Sequence, residues 1–278
     1  MTIEQIIENS LKEDIGNGDH TSLATIPESA MGKVHLLIKG NGIFAGGEIA
    51  KKTFEKVDKN INFKILIKDG TKVKKGDIAF IVEGKSISIL TAERTALNFL
   101  QRISGIATST NEYVSSLEGL HTKILDTRKT TPLLRELEKY AVKIGGGENH
   151  RIGLFDMIMI KDNHIDFAGG IKQAIINTHK YLEKENKNLK IEIEVRNLDE
   201  LNLVLAVGGI NRIMLDNFTI SDLKKAVEII DKKYETEASG GITLNTIRGY
   251  AKTGVDYISV GALTHHIKSL DMSLIAIN

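Results

Sequence analysis

Hydrophobic and polar positions change rhythm along this chain. Near its start, Ile3, Ile6, Ile7 and Leu11 recur at helical spacing, which predicts an amphipathic helix over Ile3 to Lys12. Strand-like segments follow, Val34 to Lys39, Ile61 to Lys68 and Ile78 to Glu83, and with a helix near Glu48 to Val57 they predict a small α/β layer domain. From Thr91 a stripe of Ala96, Leu97, Leu100 and Ile103 predicts a strong helix with Arg94 in its first turn. A cation there opposes the helix dipole by about 0.3–1 kcal/mol, so its placement points to a ligand. After Ser115, short apolar runs near Leu125, Met159, Ile193, Met214, Glu237 and Ile258 alternate with helical segments. That spacing predicts βα units on a parallel sheet, closed like a barrel rather than spread as a long open sheet.

The predicted strands break off into chemistry. Asp126-Thr127-Arg128-Lys129 follows the first, and Lys161-Asp162-Asn163-His164 follows the second. Between them a helix-like stretch, Leu133 to Val142, runs into Gly145-Gly146-Gly147 and then His150-Arg151. Arg128, Lys129, His150, Arg151 and Lys161 could converge as cationic donors for a ligand with several carboxylates or phosphates. In Ile191-Glu192-Ile193-Glu194-Val195, alternation puts both carboxylates on one face, where they need partners. Glu194 and Asp216 form a candidate pair for a hydrated Mg²⁺ or for ribose hydroxyls, with pairing to the cations as the competing role. Ser239-Gly240-Gly241 and Gly261 to His265 each precede a predicted helix, after the last two strands, where barrel enzymes commonly bind phosphate. No GxGxxG opens a helix, which argues against a dinucleotide-binding unit.

Charge narrows the partners. Lys plus Arg number 37 against 36 Asp plus Glu, so no global field attracts nucleic acid or anionic lipid, and any anion site is local. With no cysteine, disulfides, thiolate ligands and a cysteine nucleophile are excluded. The first residues, Met1-Thr2-Ile3-Glu4-Gln5, have no signal-peptide core and no apolar run spans a bilayer. A cytoplasmic protein with neither a nucleic-acid nor a membrane partner is expected.

The ordered motifs EDIGNGDHTS, ERTALNFLQRISGIAT, LDTRKTTP, GGGENHRIGL, EIEV, IMLDN, EASGGI and ISVGALTH resemble nicotinate-nucleotide pyrophosphorylase (carboxylating), the quinolinate phosphoribosyltransferase family. The resemblance covers almost the whole chain. It implies the type II phosphoribosyltransferase architecture: an N-terminal α/β sandwich domain over 1–108, and an incomplete six- or seven-stranded α/β barrel over 109–265. A C-terminal helix, 266–278, would return to the first domain. A homodimer is implied, with a hexamer as a further assembly, in which one subunit completes its neighbour's site. Arg94 would come from the partner subunit, and Thr127, Arg128, His150, Arg151 and Lys161 would hold the two carboxylates of quinolinate. Lys129 would lie near the reacting groups and the diphosphate. Glu194 and Asp216 would bind the Mg²⁺–phosphoribosyl diphosphate ribose region, and Ser239, Gly240, Gly261 and His265 would surround the 5′-phosphate. Lys129, Lys161, Glu194 and Asp216 are the expected catalytic set. The implied reaction is Mg-dependent transfer of phosphoribosyl to quinolinate with decarboxylation, giving nicotinate mononucleotide, diphosphate and CO₂ for NAD biosynthesis.

One residue departs from the pattern: Leu133 stands where the family usually has glycine after TTP. It can alter loop geometry but removes no donor. Three other readings remain: a phosphoribosyltransferase-like relative associated with molybdenum transport, a barrel lyase using Lys161 as a Schiff-base lysine, and a swinging-arm carrier suggested by Gly70 to Gly84. The last lacks a lysine in the hairpin context that modification requires.

Overall fold

In the computed structural model, which describes residues 1–277, two sequence rhythms build two units. The first takes Met1–Asn111, Lys129–Gly146 and the chain from Ala262 onward; the second takes Glu112–Arg128 and Gly147–Gly261.

The first unit begins with α1 (Ile3–Ile15), started by a capping box between Thr2 and Gln5 and burying Ile6, Ile7 and Leu11. Then come α2 (His20–Thr25), β1 (Met31–Ile38), β2 (Gly42–Ile43), α3 (Gly47–Val57), β3 (Asn62–Ile65), β4 (Lys72–Val73), β5 (Ile78–Lys85) and α4 (Ser86–Ser116). β1 and β3 both pair antiparallel with β5. Their apolar face packs on α3 and α4 through Leu36, Ile38, Phe54, Phe80, Leu97 and Leu100.

α4 starts five residues before Thr91. The segment Ser86-Ile87-Ser88-Ile89-Leu90 alternates like a strand, but Ile89, Ala92 and Ala96 enter the core at helical spacing. Arg94 therefore lies in the interior of the helix, not in its first turn, and the dipole argument for it falls.

The second unit opens with β6 (Lys123–Leu125). After α5 (Arg135–Ile144), part of the first unit, follow β7 (Ile158–Ile160), α6 (Asp162–Ala168), α7 (Ile171–Lys184), β8 (Ile191–Val195), α8 (Leu198–Val207), β9 (Arg212–Asp216), α9 (Ile220–Ile230), β10 (Glu235–Ser239), α10 (Ile247–Ala251) and β11 (Tyr257–Ser259). All six strands are parallel, in the order β6-β11-β10-β9-β8-β7. β6 and β7 are the two outer strands, so the ring stays open between them, and six is the number realised. α10 begins at Ile247, well beyond Gly240-Gly241, so that glycine pair does not open a helix as the sequence suggested.

The chain closes with α11 (Ala262–His265) and β12 (Met272–Ala276), both in the first unit. The expectation of a helix over 266–278 does not hold for the described residues 266–277, among which Met272–Ala276 forms β12 instead. β12 pairs antiparallel with β1, Ile38 opposite Met272 and Val34 opposite Ala276. Met272 and Leu274 reach the core at the two-residue interval of a strand, and the free edge of β1 gains backbone partners.

Candidate active site

Because the six strands are parallel, their C-terminal ends form one rim. Thr127 and Arg128 follow β6, Lys161 follows β7, Glu194 lies near the end of β8, Asp216 and Ser239 end β9 and β10, and Gly261 follows β11. Lys161 Nζ meets Glu194 Oε2 at 2.7 Å, which brings together two residues singled out for separate jobs. Asn217 Nδ2 donates to Asp216 Oδ2 at 2.6 Å, and its own N–H donates to the Ser239 carbonyl at 2.9 Å. Asn217 sits in the left-handed region with φ 56°, and Gly240 lies so close that a Cβ there would come 2.1 Å from Asn217 Oδ1. Only glycine fits this junction of β9 and β10. The Arg151 guanidinium is pushed below its ordinary value, by burial first and then by the charge of Arg128. Two cations thus gather on this rim.

His150 stands apart from that rim set. Its side chain is buried, with Nε2 3.0 Å from Glu192 Oε2 and 3.3 Å from Glu237 Oε2. Arg212 completes the group, donating to Glu237 at 3.2 Å and to Glu235 at 3.0 and 3.1 Å, with its guanidinium 4.2 Å from the Tyr257 ring centroid. Burial drives the His150 pKa down, but hydrogen bonds to Glu192 and Glu237 and their charges outweigh it, drawing the ring up to about 9. Burial, and then the neighbouring Glu237, raise Glu192 to about 7. Glu237 is held below the carboxylate range: burial opposes this, but His150 and Arg212 win. Geometry decides where the proton goes. The Arg151 N–H donates to His150 Nδ1 at 2.7 Å, a contact that a doubly protonated ring would turn into donor against donor. The proton belongs on Glu192, and His150 is neutral. The three donor atoms lie within 4.8 Å of one another, with Nε2 in direct contact with the two carboxylates at 3.0 and 3.3 Å.

The remaining predicted residues lie in the first unit. Lys129 carries its carbonyl on the Thr264 hydroxyl at 2.8 Å. His265 is exposed, and its pKa is lowered by slight burial first, then by His266 and Lys129; it is neutral at pH 7. The loop after Lys129 is braced: Arg102 meets buried Glu138 at 2.6 Å and the Thr131 hydroxyl at 2.6 Å, while Glu138 accepts the Thr131 N–H at 3.2 Å. Thr131 to Leu134 then turns with Pro132 second, Leu133 third at φ 68°, and Leu134 N–H on the Thr131 carbonyl at 3.1 Å. A type II turn wants glycine at that third place. Leu133, 69% exposed, is strained there. Arg94 is exposed on α4.

Sequence reading missed Asp126, Arg212 and Glu237. The signal was present for the last: Glu237 precedes the rim residue Ser239 by two positions, as Glu192 precedes Glu194.

An open ring of parallel strands with cations and carboxylates on its C-terminal rim defines an enzyme that handles an anionic substrate. Residues 19–104 match the quinolinate phosphoribosyl transferase N-terminal domain, and residues 106–275 the C-terminal domain. Quinolinate phosphoribosyltransferase [decarboxylating] 2, mitochondrial, of Nicotiana glauca is 45% identical over 98% of this chain and 81% of its own. A probable nicotinate-nucleotide pyrophosphorylase [carboxylating] of Bacillus subtilis is 42% identical over 99% and 93%. The solved nicotinate-nucleotide pyrophosphorylase of Francisella tularensis superposes with a TM-score of 0.93 at 44% identity, covering 99% of this chain and 96% of that one. The chain belongs to the quinolinate phosphoribosyltransferase family.

Proposed function

We infer that this chain transfers the phosphoribosyl group of phosphoribosyl diphosphate to quinolinate and removes one carboxylate, yielding nicotinate mononucleotide, diphosphate and CO₂ for NAD biosynthesis. The observation that carries this reading is the rim of the second unit, where Arg128 and Lys161 share one set of strand ends with Glu194 and Asp216 and the charge of Arg151 lies close to that of Arg128, in a chain whose residues 19–104 and 106–275 match the two domains of the family.

In this reading Thr127, Arg128, Arg151 and Lys161 grip the two carboxylates by charge-assisted hydrogen bonds and aim the pyridine nitrogen at ribose C1. The C1–diphosphate bond breaks as the nitrogen–C1 bond forms, and Glu194 and Asp216 flank the positive charge that builds on the sugar. The ring nitrogen is then cationic, so its charge stabilises the electron pair left on the adjacent carbon when that carbon's carboxylate leaves as CO₂, and a proton adds to that pair. Ser239, Gly240 and Gly261 take the 5′-phosphate. Glu194 and Asp216 supply carboxylate oxygens, the donor type Mg²⁺ prefers, with Lys161 and Asn217 each engaging one oxygen. When bound, Mg²⁺ would neutralise diphosphate charge. The reading also takes the enzyme as a cytoplasmic homodimer, supported by an Arg94 that is exposed on α4 and available to a neighbour.

The experiment supplies purified protein with phosphoribosyl diphosphate, Mg²⁺ and either quinolinate or nicotinate. Mononucleotide and CO₂ should form from quinolinate alone; no product from it in folded protein would overturn the assignment. Specific activity should fall on dilution as subunits separate.

A further inference from the structure

Four consecutive backbone donors in the second unit are taken by side chains close by. Asp126 Oδ1 accepts the His150 N–H at 2.8 Å, and His150 Nδ1 accepts the Arg151 N–H at 2.7 Å. The two carboxylate oxygens of Asp156 accept the Ile152 and Gly153 N–H groups at 2.7 and 2.8 Å. The loop therefore presents a substrate with the Arg151 side chain rather than with its amides. That side chain is itself braced, one guanidinium N–H lying 3.1 Å from the Met157 carbonyl.

Of these acceptors, the imidazole is the one whose role depends on which of its two nitrogens holds hydrogen. Nε2 faces carboxylate oxygens of Glu192 and Glu237, both fully buried, and must carry a hydrogen. Nδ1 faces an N–H and must carry none. Arg212, on Glu237, is the charge that fixes the far side of the cluster. Two strands of the sheet, β8 and β10, thereby set the ring's orientation from beneath.

We propose that His150 is a positioning residue: held as the Nε2–H tautomer by Glu192 and Glu237, it uses bare Nδ1 to fix the Arg151 backbone and so aims the Arg151 guanidinium at a carboxylate of the pyridine substrate. The proposal rests on the quinolinate reading and replaces a direct grip of His150 on that substrate. A buried ring with both nitrogens engaged by the protein has none left for a ligand.

Two measurements test it. In the unmutated protein with ¹⁵N-labelled histidine and backbone, His150 should show one pyridine-like and one pyrrole-like ring nitrogen, with a coupling through the hydrogen bond to the Arg151 amide nitrogen. Two pyrrole-like nitrogens, or no such coupling, would overturn the tautomer. This readout needs no turnover, so it stands apart from the activity assay that judges the quinolinate reading itself. The second is a cycle of His150→Gln, Arg151→Lys and the double variant. Each single change should lower kcat/KM for quinolinate about tenfold to a hundredfold, mainly through KM, with KM for phosphoribosyl diphosphate little changed. The double variant should be no worse than the worse single, because His150 acts through Arg151. Losses that multiply would mean that His150 meets the substrate independently, and would sink the proposal.

Discussion

Phe54, Phe63 and Phe80 fill the first unit's core, with ring centroids 5.8 and 4.5 Å apart; the sheet of the second unit holds His150, Glu192, Glu237 and Arg212 in its interior instead. The apolar core gains stability in proportion to the area it hides, and one hydrophobic side chain can stand in for another of similar volume. A charged interior gains little net stability, since desolvation offsets attraction, but each member has only a few acceptable positions. The first arrangement serves a scaffold. The second serves a loop whose aim matters.

The sharpest way to break this contrast is to damage both interiors and compare them by urea denaturation. Phe80→Ala should cost about 3–5 kcal/mol through lost burial and the cavity left behind. Arg212→Met should cost a similar amount, about 3–5 kcal/mol, although methionine is the more hydrophobic residue, because it strands Glu237 in a closed interior. An unchanged midpoint for Arg212→Met would show that the cluster needs no compensating charge.

A smaller effect separates the cores by pH. Glu192 titrates near 7 in the fold against an ordinary 4.5. Between those values folded Glu192 holds a proton that it has released when unfolded. Neutral His150 forgoes in the fold a proton that it takes up below its ordinary 6.5 when unfolded. Between 4.5 and 6.5 the two differences cancel, folded and unfolded chains hold equal protons at this pair, and its contribution to stability should be flat. Glu192→Gln removes the carboxyl's share, so the stability of that variant should rise with pH up to about 6.5, by up to about 1.4 kcal/mol per unit, whereas Phe80→Ala should lower the whole curve and keep its shape. A Glu192→Gln curve parallel to the wild type would put the proton on His150.

The smallest expected change lies in the turn at Leu133. A leucine held at φ 68° is strained by about 1–2 kcal/mol, part of which glycine returns as entropy lost on folding. Leu133→Gly should raise stability by about 0.5–1 kcal/mol; a loss would mean that this exposed side chain packs against something in solution.

These contrasts also mark what the amino-acid pattern could convey. Alternation in Ile191 to Val195 put Glu192 and Glu194 on one face, and the six strand centres were legible from apolar spacing alone. Depth was not. A strand rises about 3.3 Å per residue, so two positions span about 7 Å, enough to hide Glu192 among His150 and Glu237 while Glu194 reaches the rim and Lys161. For the same reason, the grouping of His150 with the rim cations followed from its neighbours in sequence, whereas its ring turns inward. The start of α4 was obscured because Ser86 to Leu90 fits a strand as well as a helix until Ala92 and Ala96 are packed. β12 could not be told from a helix within its own five residues, since only the unfilled edge of β1 selects the strand.

That pairing of β12 with β1 has a consequence for how the protein is made. Translation delivers β1 early and β12 only after Gly261, the last residue of the second unit, has been synthesised. Until then β1 has β5 on one side and a bare row of backbone donors and acceptors on the other. A chain shortened before Met272 would keep that edge open and offer it to a strand of another molecule, so the last described strand also guards the first unit against pairing with its own copies.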